Sequence, residues 1–441
     1  MKKRFAAAVL SACLALPAVT LAATIDEQIL KELEFLRNKV QAQQERIEAL
    51  ESGMDKKVEA KVEEKVAEKV KQSGGAGSKV ALANEFIDQL TFKGDLRVRY
   101  DVRDKDYKSG RVDNAGDPLR DVTRERFRTR FRAGGVWENK AESWQVGAGL
   151  ATGDDTATST NDTWSENKVF ETGDIRLDYA YAKHKWHDYS FTLGQHENPF
   201  ESSWVFWDSD ARFAGFTGQY GQKEGIFATL GGYAAKLVDD DNTATLVAGQ
   251  LGYRGKASGL KYTLAAGYHT YSTSLINEGN AEFKLNAVDP DQYELNIGDL
   301  YGKVAIPVGA VKLSLYGQIW QNFGADGAIG QSQGGSSFPE EPEDADMGWI
   351  LGVDAKYDAF KIGYAYAVIE ADSIFGYLTD SDFSDGLVST NKQGHRVTLA
   401  YNLTKNLSAS ANWFAYEREE DYASANEDEV DLYLFDLIYK F

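Results

Sequence analysis

Arg124, Arg126, Arg128, Arg130 and Arg132 occupy every second position of the stretch Thr123–Gly135, with Glu125, Phe127, Thr129, Phe131 and Ala133 between them. On an extended chain that spacing sends all the guanidinium groups one way and the rings the other. In a soluble sheet the rings would be hidden and the arginines wetted. Bordering a water-filled passage, a row of arginines favours anions. Farther along, "HENPFESSWVFWDSDAR" (His196–Arg212) offers the opposite charge. Glu197, Glu201, Asp208 and Asp210 lie there beside Arg212, with Trp204, Phe206 and Trp207 able to pack against a wall.

Catalysis is the poorer reading of these residues. His184, His187, His196, His269 and His395 accompany no nucleophile motif. "DDD" (Asp239–Asp241) and "EEPEDAD" (Glu340–Asp346) read as solvated loops rather than calcium sites. The glycine clusters lack the strand–loop–helix setting of phosphate binding. The sequence therefore predicts no enzyme, metal or cofactor.

The elements that must position the charges change character along the 441 residues. The start, with Lys2, Lys3, Arg4 and an apolar run ending in small residues, reads as a signal peptide over 1–22. Cys13 lies within it, in a lipoprotein-like "LSAC" whose preceding apolar stretch is too short; the mature chain has no other cysteine. Residues 23–73 read as a coiled-coil stalk. Ile29, Leu33, Leu36, Val40, Gln43, Ile47, Leu50 and Met54 alternate steps of four and three. Val58, Val62, Val66 and Val70 then keep steps of four, so the stripe drifts. "GGAGS" opens a linker over 74–88.

From residue 89 to 441 the period is two. Sixteen candidate strands follow, including Leu90–Tyr100, Ile175–Lys183, Leu260–Tyr271, Phe360–Ile369 and Val430–Phe441. Ile175, Leu177, Tyr179 and Tyr181 fall on one face of the second of these. Connections alternate between short ones, such as "DA" (Asp358–Ala359) and "TKN" (Thr404–Asn406), and long ones, such as Ser272–Asp291 and Ala371–Lys392. That sorting is the mark of an all-β, antiparallel up-and-down transmembrane barrel, closed because lipid cannot satisfy a free edge. Its rings face hydrocarbon and its arginines face water. Aromatics at strand ends (Trp144, Tyr189, Tyr357, Tyr401, Tyr416, Tyr439) suit interfacial girdles. A formal net charge of -20 argues against nucleic acid as a partner.

"FKGDLRVRYD" (Phe92–Asp101), "RERFRTRFRAGG" (Arg124–Gly135), "GLATGDD" (Gly149–Asp155), "GQHENPF" (Gly194–Phe200) and "WDSD" (Trp207–Asp210) resemble a family of Gram-negative outer-membrane porins. "DLYLFDLIYKF", ending in Phe441, resembles the last strand of such proteins. The resemblance implies a barrel in the outer membrane passing small hydrophilic solutes, with lipid around it and a homotrimeric state. It also implies that the loop after the fifth spanning strand, His196–Arg212, enters the lumen. The expected lining is Arg97, Arg99, Arg126, Arg128, Arg130, Arg132 and Arg176, with Arg396 adding to the same wall. Glu197, Glu201, Asp208 and Asp210 would face them across the pore, and the expected selectivity is a weak anion preference. Alternatives are a substrate-specific channel, or an envelope tether reaching the cell wall through a periplasmic stalk.

Overall fold

The computed structural model describes residues 89–107, 118–153, 156–221, 223–239, 242–272, 294–325, 344–384, 390–419 and 429–441. The expected leader, stalk and linker (1–22, 23–73 and 74–88) lie outside them.

Alternation of aromatic or β-branched residues with polar or small ones produces extended chain wherever it persists. The elements are β1 (Leu90–Asp106), β2 (Val122–Asn139), β3 (Trp144–Thr152), β4 (Asp162–Thr163), β5 (Ile175–Trp186), β6 (Tyr189–Glu197), β7 (Arg212–Tyr220), β8 (Gly225–Asp239) and β9 (Asn242–Ala257). They continue with β10 (Leu260–Tyr271), β11 (Asn296–Val308), β12 (Val311–Asn322), β13 (Met347–Tyr357), β14 (Phe360–Ile369), β15 (Lys392–Asn402), β16 (Leu407–Arg418) and β17 (Glu429–Lys440). β4 is a two-residue bridge onto β2 within a long connection, so sixteen strands build the wall. Each is antiparallel to its neighbours, and β17 returns to β1 in register from Asp95↔Lys440 to Asp106↔Glu429. The sheet is a closed barrel with no free edge. Among the described residues no helix is long and apolar enough to cross a membrane.

The terminal aromatic completes the closure. Gly94 and Phe441 exchange two backbone hydrogen bonds of 3.1 Å, and the Phe441 ring stacks near Phe131. A side chain on Gly94 would collide with that ring and with the Arg132 carbonyl, so the seam requires glycine there.

The outer face is apolar and exposed: Phe92, Phe127, Leu193, Leu230, Leu251, Leu351 and Ile362 all point away from the interior. Hydrocarbon is the surrounding that makes such a face stable. Trp144, Tyr189, Tyr357, Tyr401 and Tyr439 share it at strand ends, as expected for girdles. Tyr416 does not. It is buried inside, where its hydroxyl donates to the Ser384 carbonyl.

A β-bulge makes a second correction. The β3–β5 register shifts between Gly149 and Leu150, so that Gly149 opposes Tyr179 while Leu150 opposes Leu177. Asp178 is the extra residue, and the faces exchange after it. Leu177 stays outside, but Tyr179 and Tyr181 turn inward over Gly149 and Gly147.

The interior is not uniformly wet either. Towards the long-loop end, inward residues of β8–β17 (among them Tyr233, Leu246, Ile297, Trp320, Ile350, Phe414 and Leu432) form one apolar cluster with residues of two connections that fold into the barrel. The first is 198–211, within the His196–Arg212 stretch expected from sequence. The second is 370–384, with two short 3-10 turns at Gly376–Leu378 and Ser381–Phe383.

Candidate functional site

The arginines meet one another across the β1–β2 ladder, with Arg97 opposite Arg130 and Arg99 opposite Arg128. Like charges directly opposed are destabilising. Carboxylates set among them relieve this. Asp95 accepts from Arg130 (Nε 2.9 Å, Nη2 2.7 Å) through one oxygen and from Arg132 Nε (2.9 Å) through the other. Asp101 accepts from Arg126 Nε at 2.9 Å. Arg99 forks onto Asp436 of β17, with Nε–Oδ1 at 2.7 Å and Nη2–Oδ2 at 3.0 Å. Bidentate pairing of this kind fixes the guanidinium plane as well as its charge.

The inserted connections complete the cluster. Asp382 accepts from Arg99 Nη1 at 3.0 and 3.1 Å. Asp210 accepts from Arg132 Nη1 at 3.2 Å and from the Thr160 amide and hydroxyl at 3.1 and 2.9 Å. Arg97 donates to Asn161 and lies 3.9 Å from Asp436. Arg128 reaches Ser159 at 3.4 Å and Asp101 at 4.0 Å. Arg176 holds the same stretch through the carbonyls of Thr156 (2.6 Å) and Ser159 (2.9 Å).

Burial would raise the carboxyls of Asp382 and Asp210, but the nearby guanidiniums hold both below the ordinary range: Arg99 and Arg97 for Asp382, Arg130 and Arg132 for Asp210. Asp208 and Asp380 go the other way. Burial and then the charges of Asp380 and Asp210 push Asp208 well up. Burial and then Asp382 push Asp380 up to about 6, against the pull of Arg396.

Loop 198–211 is fastened to the wall by amides that take the place of a paired strand. Gln250 exchanges hydrogen bonds of 2.9 and 2.8 Å with the backbone of Glu201. Gln318 accepts from the Ser203 amide at 2.7 Å and donates to Asp299 at 2.9 Å; Asp299 in turn contacts His269 Nε2 at 2.8 Å. A chain buried in a lumen must pair its backbone somewhere, and these side chains do so. Loop 370–384 rests on the first. The Asp208 amide donates to the Leu378 carbonyl (2.8 Å), and the Ser381 amide donates to Asp208 (2.9 Å).

Of the loop charges expected to oppose the arginine row, only Asp210 does so. It touches the row directly, 3.2 Å from Arg132. Glu201 pairs instead with Arg254 of β9 at 2.7 Å. Asp208 faces the second loop, and Glu197 borders a recess of about 660 Å³ near the short-turn end. Arg212 belongs to the wall: its guanidinium pairs with Asp178 at 3.0 and 3.1 Å. Arg396 is not on the arginine wall. It belongs to β15 and lies over the rings of Trp204 (4.6 Å) and Phe414 (5.2 Å).

Sequence reasoning missed Asp382, Asp380 and the Thr158–Asn161 stretch. The available signal was composition: Ile374, Phe375, Leu378 and Phe383 are too apolar for a connection lying in water.

A closed sixteen-stranded barrel, apolar outside and charged within, narrowed by its own connections, is an outer-membrane channel. A sequence family described as "Putative porin" matches residues 15–277 and 307–441, most of the chain, and the protein belongs to that family. The match begins ahead of the barrel, so the family pattern includes part of the N-terminal segment. Among solved structures, OprB of Pseudomonas putida at high pH shares the fold at 12% identity and a TM-score of 0.51, over 81% of this chain and 96% of that one. The channel DcaP of Acinetobacter baumannii (11%, TM-score 0.47, 80% and 97%) and an anion-selective porin from Comamonas acidovorans (12%, 0.43, 80% and 99%) are also similar. No curated protein sequence matches the chain.

Proposed function

We propose that the channel passes small hydrophilic solutes passively with a weak preference for anions. The observation that carries this reading is the charge left over after pairing. The arginine row is nearly matched by Asp95, Asp101, Asp210, Asp382 and Asp436. The 660 Å³ recess near the short-turn end also holds Lys93, Lys183 and Lys440, none with an ion-pair partner among the described residues, against one carboxylate likewise without an ion pair, Glu197. Short turns face the periplasm in barrels of this class, so those lysines border the periplasmic mouth. Cations lining a mouth concentrate anions there.

Reversal potentials across a salt gradient in planar bilayers test the preference, and clear cation selectivity would refute it. Absence of any conductance would refute passive transport altogether. The stalk reading of residues 23–73 stays part of the proposal, as a periplasmic coiled coil joining three copies. Deleting Thr24–Gln72 is expected to lose trimers while conductance persists. Intact trimers with envelope blebbing would favour a tether to the cell wall instead.

A further inference from the structure

The positive charge inside the barrel falls into two populations. The guanidiniums of β1 and β2 are interleaved with carboxylates. Arg396 of β15 and Lys303 of β11 are not: neither has a carboxylate at ion-pair distance among the described residues. Both border a separate recess of about 250 Å³ beneath the inserted loop, towards the short-turn end of β11–β15. Its other charged residues, Lys361 and Asp354, pair with each other at 3.2 Å. Arg396 feels the buried carboxyl of Asp380 in the second loop, and Lys303 has no carboxylate at ion-pair distance among the described residues.

Two polar atoms of its lining residues are buried without a hydrogen-bond partner among the described residues. Arg396 Nε is buried and makes no hydrogen bond, because its guanidinium is spread over Trp204 and Phe414. Ser203 is 4% exposed, and its hydroxyl also makes none, although its amide is held by Gln318. Around them stand the rings of Tyr301, Tyr316 and Trp204, with Trp204 fixed by its indole N–H donating to Tyr316 at 3.2 Å. Gly363 keeps the floor open, since a side chain there would strike Asp354.

We propose that this recess is a subsite for a small organic monocarboxylate with an apolar body, its carboxylate drawn by the charges of Arg396 and Lys303 and its body against the Tyr301, Tyr316 and Trp204 rings. The inference rests on the barrel being a conducting channel and adds a solute class to it. A dicarboxylate is a poorer fit, because Lys361 already has Asp354. Size agrees: the recess falls below the roughly 300–1,000 Å³ of drug-sized pockets.

The test is the block of KCl current by sodium benzoate at constant ionic strength, with acetate as comparator. In the wild type, block by benzoate saturates and is stronger than block by acetate. Arg396→Gln raises the half-blocking concentration about tenfold, the scale of one charge-assisted hydrogen bond. Because Arg396 also props Trp204, Lys303→Gln is the cleaner variant, with an increase of about threefold expected from a longer-range charge. Arg97→Gln, on the paired wall, leaves block unchanged. Linear current with no saturation overturns the proposal, as does equal sensitivity to Arg97→Gln, or acetate blocking as well as benzoate. KCl conductance itself reports the channel separately: if no variant conducts, the channel reading has failed rather than the subsite.

Discussion

The interior of this barrel has two walls that hold its inserted connections by different physics. On β1, β2 and the lower part of β17, arginine and aspartate alternate around Asp95, Asp101 and Asp436, and the loops arrive carrying Asp210 and Asp382. On β8–β16 the loops are held by rings and aliphatic chains, with Phe206 against Trp320 at 5.4 Å and Phe383 against Tyr416 at 5.1 Å. The apolar wall supplies most of the adhesion, since burying a large side chain stabilises by about 1.5–3 kcal/mol. The charged wall adds little net stability, because desolvation offsets attraction. What it adds is position, since a forked guanidinium accepts its partner in one geometry.

That contrast can be broken from the apolar side first. Phe206 is 1% exposed, and Phe206→Asp would bury an unpaired charge at a cost of several kcal/mol. The loop is then expected to leave the wall, and single-channel conductance to rise as the lumen clears. Unchanged conductance would show that the loop does not narrow the path. On the charged side, Arg99→Gln strands Asp436 and Asp382 and should lower barrel stability by about 3–5 kcal/mol in thermal denaturation in detergent. Adding Asp382→Asn should recover part of the loss, and lack of any recovery would mean the two do not act as a unit.

A third experiment addresses the bulge that separates lumen from lipid on β5. Leu177→Lys faces hydrocarbon and should cost about 2–4 kcal/mol, whereas Tyr181→Lys faces the interior and should cost much less. Equal costs would argue against the exchange of faces.

The smallest effect is in pH. Asp208 and Asp380 are raised above the ordinary 3.8, Asp380 to about 6, so the docked loops hold protons that the unfolded chain releases near 3.8. Their contribution is complete below about 4 and fades as pH rises through 6. Asp210 and Asp382 are lowered, so their contribution is present above 3.8 and is lost only as pH falls below it. Docking should therefore be firmest near pH 4–5. Open-channel current noise should be lower at pH 5 than at pH 7.5, and Asp380→Asn should remove the difference.

Sequence alone determined the sixteen strands, their antiparallel order, the outward rings and the inward arginines of β1 and β2. All of these follow from a period of two that each strand carries in its own residues, and from the rule that a sheet in lipid must close. It also marked His196–Arg212 as an inserted loop, of which 198–211 leaves the wall. Tertiary structure decided what no single stretch encodes: that Asp382 rather than Glu201 reaches the arginine row, that Arg396 stacks on Trp204, and that Tyr179 faces inward past one extra residue. The physical reason is distance along the chain. Asp382 lies 283 positions from Arg99, and such a contact depends on the shapes of both walls once the barrel has closed, not on any local pattern.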